Sequence, residues 1–160
     1  MGGFRGLPIA ILLLVLTGAA NAMEILVLRH AEKQSGTGPD PGLSPAGENR
    51  AAAIAGRFRP DVVYATPWRR AIETARPAAE AAGVVVRLYD PARPEQLVGK
   101  IRALPPDAQV LVVGHSNTVP DLVRRLSGTA AEAMPESEYD RWTLVRIGTD
   151  GNTAVDVRRY

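Results

Sequence analysis

The run Ile25-Leu26-Val27-Leu28-Arg29-His30 constrains this chain more than any other stretch: four consecutive aliphatic residues stop at an arginine and a histidine. An apolar run without polar alternation suits a strand covered on both faces, as in a parallel sheet sandwiched by helices. Arg29 and His30 cannot lie inside such a strand without a large desolvation cost, so they belong where it emerges. In open α/β sheets ligands bind at that rim, beyond the carboxyl ends of the strands. The pattern recurs at Val110-Leu111-Val112-Val113-Gly114-His115, which ends in the second of only two histidines. Two buried strands are therefore expected to deliver two imidazoles to one rim.

The segments between them alternate in kind. Leu43-Ser44-Pro45 opens a helix to about Phe58, with Ser44 as cap and Pro45 at the first helical position. Val62 to Ala65 reads as a short strand. Thr66-Pro67 repeats the cap-plus-proline signal and starts a helix to Gly83, which Pro77 should kink or divide. Val84 to Tyr89 is a third strand rich in β-branched residues. Glu95 to Leu104 reads as a helix, Gln109 to Val113 as the fourth strand, and the region around Asp121 to Leu126 as a helix stopped by Gly128. Residues 129–138 read as a loop. Two last strands, Arg141 to Ile147 and Thr153 to Arg158, flank Asp150-Gly151, a hairpin turn. This order implies a three-layer α/β/α domain with a mostly parallel central sheet and a C-terminal β-hairpin.

Residues 1–22 read as a signal peptide. Arg5 supplies the positive start, Leu7 to Leu16 the apolar segment, and Ala20-Asn21-Ala22 a small-x-small cleavage site. The expectation is a mature domain of residues 23–160 that begins just before the first strand and is periplasmic or extracellular. The apolar segment is short for a bilayer span, so no stable membrane span is expected after cleavage. A net charge of +2 without a charge run, and 5% aromatic residues, argue against a nucleic-acid partner. The absence of cysteine excludes disulfides and thiol nucleophiles. Two histidines without HxxxH-type spacing disfavour a metallohydrolase.

One arginine lacks a local reason. Arg69 can pair with Glu73 one helical turn on, but Arg70 meets Thr74 there. A cation in the first turn of a helix also opposes the macrodipole. An anion bound at that helix start would account for Arg70.

Arg29-His30-Ala31-Glu32, Leu43-Ser44-Pro45-Ala46-Gly47, Ala65-Thr66-Pro67-Trp68-Arg69-Arg70-Ala71-Ile72-Glu73-Thr74-Ala75 and Gly114-His115-Ser116 together resemble the histidine phosphatase (phosphoglycerate-mutase-like) superfamily, in the family's order. The resemblance implies that His30 is the nucleophile and that Arg29, Arg70 and His115 bind the phosphoryl group. Guanidinium forks suit phosphate oxygens, and a neutral imidazole can attack phosphorus once its other nitrogen is held. Neither metal nor organic cofactor is implied. In the family an acidic proton donor stands either directly after the second histidine, where this chain has Ser116, or in the loop after the third strand. Asp90 fits the second location, with Glu95 in reserve. Asn117 and Lys33 are candidate pocket-edge residues. The implied activity is metal-independent hydrolysis of a small phosphomonoester, an envelope phospho-saccharide or a phosphoprotein through a phosphohistidine. The alternative is an exported module that binds a phospho-ligand without turnover. A serine hydrolase built on Gly114-His115-Ser116 fails, because no histidine follows that serine.

Overall fold

A computed structural model describes residues 22–36 and 38–159, so the leader expected at 1–22 lies outside the described residues except for Ala22. Among the described residues, one six-stranded sheet organises the fold. Its strands are β1 (Ala22–Arg29), β2 (Val62–Ala65), β3 (Val86–Leu88), β4 (Gln109–Gly114), β5 (Arg141–Gly148) and β6 (Thr153–Arg159), in the order β3-β2-β4-β1-β5-β6. The first four are parallel; β5 runs antiparallel to β1, and β6 antiparallel to β5. Helices α1 (Pro45–Ala55), α2 (Arg69–Ala82), α3 (Pro94–Arg102) and α4 (Val119–Ser127) complete it.

Strand alternation divides the core. Ile25, Val27, Val110 and Val112 face α3 and α4, which contribute Leu97, Ile101, Leu122 and Leu126. Leu26, Leu28, Leu111 and Val113 face the other way, onto Ile54 of α1 and the alanines of α2. The result is the three-layer arrangement expected from the uninterrupted aliphatic runs. Each fully buried Leu or Ile contributes about 1.5–3 kcal/mol.

The differences from the sequence reading have local causes. β1 begins at Ala22, opposite Gly148, rather than after Met23. α1 starts as expected, with Ser44 Oγ accepting the Gly47 N–H at 3.2 Å. α2 does not start at Thr66. Its N-cap is Trp68, whose side chain makes no capping bond. Asp40 supplies the cap from the loop between β1 and α1, its Oδ1 accepting the Arg69 N–H at 3.0 Å. Pro77 does not end α2, which runs through it with Ala71, Ala75, Ala78 and Ala79 buried on one face. The third strand is shorter than expected because Val84 belongs to the end of α2. Its N–H donates to the Ala79 carbonyl at 2.9 Å, across Gly83 in the left-handed conformation (φ +72°).

Candidate active site

The central strands β1, β4 and β2 end side by side. Register pairs Arg29 with Gly114 and Ala65 with Val113, so His30, His115 and Thr66 emerge together at one rim. The two imidazoles meet edge-on, with ring centroids 5.2 Å apart. They line a cavity of about 410 Å³ together with Lys33, Trp68, Arg70, Ser116, Asn117 and Glu136, among others.

His30 has one possible tautomer. Its Nδ1 lies 2.8 Å from the Ala31 carbonyl oxygen, which can only accept, so Nδ1 carries the proton and Nε2 the lone pair. The residue whose carbonyl holds the ring is itself held by its N–H. Ala31 N–H donates to Thr74 Oγ1 at 2.9 Å, and that hydroxyl donates to the Arg70 carbonyl at 2.7 Å. One threonine thus ties the backbone behind His30 to the first turn of α2. Burial, and then the charges of its neighbours His115, Arg29 and Arg70, lower the His30 pKa from the usual 6.5 to about 3, although the Ala31 bond opposes this. The ring is a neutral base at ordinary pH. His115 is lowered to about 4 by burial and by Arg70 and Arg29, so it too is neutral here; its Nε2 lies 2.8 Å from Thr66 Oγ1.

The arginines differ. Arg70 lines the cavity, with its guanidinium 5.1 Å from the Trp68 ring centroid and 3.7 Å from Asp40 Oδ1. Asp40 therefore supplies part of the negative charge that the start of α2 calls for. Arg29 is 3% exposed and stands behind the cavity. Its Nη1 donates to the carbonyls of Pro135, Glu136 and Glu138, its Nη2 donates to Glu136 Oε2 at 2.9 Å, and Tyr139 covers it at 4.1 Å. Among the described residues, the buried side-chain nitrogens without a hydrogen-bond partner are Arg29 Nε and Arg70 Nε. Two buried N–H donors beside two imidazoles suit an anionic group with several acceptor oxygens.

Residues 25–92 match the model of the histidine phosphatase superfamily (branch 1). The fold is the histidine phosphatase fold. The structure of the protein histidine phosphatase SixA complexed with tungstate aligns with a TM-score of 0.69 at 18% identity, over 86% of this chain and 97% of that one. Mycobacterial glucosyl-3-phosphoglycerate phosphatase aligns with a TM-score of 0.67 at 20% identity, over 86% and 99%. A structure described as mycobacterial hydrolase 1 gives 0.68 at 20% identity, over 87% and 99%. No curated protein matches the sequence.

Within this histidine phosphatase fold, the cavity brings together His30, His115, Arg70, Asn117 and Lys33, with Arg29 directly behind. Asp90 is not among its lining residues. Asp90 Oδ1 accepts the Ala92 N–H at 2.9 Å and Oδ2 the Arg93 Nε–H at 2.8 Å. These bonds hold its carboxyl below the usual range, and they engage it away from the residues that line the cavity. Glu95 sits in the first turn of α3, also outside the lining. The carboxylate that does line the cavity is Glu136, on the loop read from sequence only as a connection. Glycine sets two close approaches here. A Cβ at Gly47 would fall on the Glu32 carbonyl oxygen, and one at Gly114 would lie 2.9 Å from the Tyr89 hydroxyl.

Proposed function

We propose that this protein is an exported, metal-independent phosphatase that hydrolyses a phosphomonoester through a phosphohistidine on His30. The observation that carries the reading is the His30 tautomer. A neutral ring whose Nδ1–H is held by a carbonyl presents Nε2 as a nucleophile, in a cavity shared with His115 and Arg70. Attack by Nε2 displaces the leaving oxygen, and water then hydrolyses the phosphoimidazole. Arg70 and the Nε–H of Arg29 meet the equatorial oxygens, where the phosphoryl charge remains throughout. His115, neutral in the protein alone, gains a reason to protonate when a dianion enters beside it.

The substrates named for the aligned phosphatases are a phosphohistidine protein and a phosphorylated sugar acid. Together with Trp68, which lines the cavity and is 41% exposed, they favour a small phosphomonoester, an envelope phospho-saccharide or a phosphoprotein as substrate for this chain. Export rests on Arg5, the Leu7 to Leu16 segment and Ala20-Asn21-Ala22. Cleavage after Ala22 would remove one residue from β1 and leave the register intact.

The test is phosphate release from a panel of phosphomonoesters by residues 23–160 in the presence of EDTA. Turnover is expected, with none in His30→Ala. Arg70→Ala should lose about 10²–10³-fold in kcat/KM, the scale of one transition-state charge contact. Full activity in His30→Ala would remove the mechanism. Binding of phosphate without turnover of any ester would leave only the binding-module reading.

A further inference from the structure

Among the described residues, Glu136 is the one carboxylate that lines the cavity. It comes from neither a strand nor a helix but from the loop between α4 and β5, and it is held there. Arg29 Nη1 donates to the carbonyls of Pro135, Glu136 and Glu138 at 3.3, 2.6 and 3.1 Å, which fixes the loop to the end of β1. The Glu136 carboxylate bridges the two sides of the cavity, taking Arg29 Nη2–H on Oε2 and the Ser116 hydroxyl on Oε1. Ser116 follows His115, so the carboxylate stands over the residue next to the second imidazole. The side chain is nevertheless 79% exposed, free to exchange protons with water.

A phosphatase must protonate a poor leaving group as the P–O bond breaks, and the donor must lie in the cavity. Asp90 and Glu95 do not. We propose that Glu136 is the acid–base catalyst of the reaction described above, on which this assignment rests. A phosphomonoester that enters as the monoanion brings one proton, which the Glu136 carboxylate accepts. His30 Nε2 forms the N–P bond while the bond to the leaving oxygen breaks. The electron pair stays on that oxygen, and Glu136 protonates it. The alcohol departs neutral. Water then adds its oxygen to phosphorus and gives a proton to Glu136, the N–P bond breaks with its pair returning to Nε2, and Glu136 passes the proton to the product. Ester monoanion and water become alcohol and phosphate monoanion, so protons and charge balance.

The Ser116 hydroxyl and the charges of Arg29 and Lys33 hold this carboxylate below the usual range in the protein alone, and the neutral rings of His30 and His115 also face it. A phosphoryl group placed among the same cations offsets them and raises its basicity. This is the change a proton relay needs.

The experiment compares kcat/KM of the wild-type enzyme, Glu136→Gln, Glu136→Ala and Lys33→Met along a series from p-nitrophenyl phosphate to alkyl phosphates. Glu136→Gln keeps the side chain's size and one acceptor oxygen for Arg29, but its NH2 can only donate to Ser116 and it cannot relay the proton. It is expected to lose little on the nitrophenyl ester and about 10²-fold or more on alkyl esters. Added formate should restore part of the alkyl activity of Glu136→Ala. Equal loss along the series would overturn the assignment in favour of a purely structural carboxylate. A uniform gain would overturn it in favour of an internal anion that competes with substrate. A leaving-group-dependent loss in Lys33→Met alone would move the role to Lys33. A wild-type protein that turns over no ester would instead remove the phosphatase reading itself, before any variant is compared.

Discussion

Acid should destabilise this protein through the same two histidines that form its cavity. In the unfolded chain each titrates near 6.5, whereas in the folded protein burial and the neighbouring cations lower His30 to about 3 and His115 to about 4. Between those limits the unfolded state binds more protons, so stability is fully present above 6.5 and is lost as pH falls towards the folded values. From pH 7 to pH 4.5, at ~1.4 kcal/mol per pH unit per proton, His30 alone removes about 2–3 kcal/mol and His115 about 2 kcal/mol. Their rings lie 5.2 Å apart, so the first proton opposes the second and the two titrate as a pair. Urea unfolding of the wild-type protein and of His30→Gln, at both pH values, isolates the effect. Carboxylates elsewhere change both proteins alike and cancel in the difference. The variant should lose about 2–3 kcal/mol less than wild type on acidification, whatever its stability at pH 7. Equal losses in the two proteins would refute the view that His30 is held neutral by its surroundings.

Two further outcomes follow from particular contacts. Gly47→Ala should cost about 1–3 kcal/mol or more in urea unfolding, because its Cβ would fall on the Glu32 backbone carbonyl at the start of α1, and a midpoint unchanged from wild type would contradict that packing. Asp90→Asn should leave the acid limb of the pH–rate profile where it is, since its carboxylate is engaged by Ala92 and Arg93 outside the cavity; a shifted limb would return Asp90 to the chemistry.

The layers were legible because burial on both faces leaves a plain mark, as in Leu26, Leu28, Leu111 and Val113 against α1 and α2. Thr66 misled for a physical reason. A Thr-Pro pair looks like a cap and first turn, but Thr66 is fully buried beside His115, and the helix opens three residues later under Asp40. A cap supplied from 29 positions away leaves no local pattern. The same holds for Thr74, whose hydroxyl links Ala31 to Arg70 across α2. Sequence spacing shows which residues share a helix face, not which backbone N–H will meet them.

Glu136 could have been found by topology, although not by composition. β5 runs antiparallel to β1, with Trp142 opposite Leu28, so the start of β5 lies at the end where β1 delivers Arg29 and His30. Any segment that feeds β5 must then arrive at the rim where the cavity opens, whatever its own residues are. The chain uses that obligation. Arg29, buried and committed to three loop carbonyls, fastens the approach to β5 against β1, and the fastening brings Glu136 to Ser116. An antiparallel strand beside the central parallel one therefore places a second source of polar groups over the rim. Read this way, the terminal hairpin explains how residues 128–140 reach a site whose imidazoles come from β1 and β4.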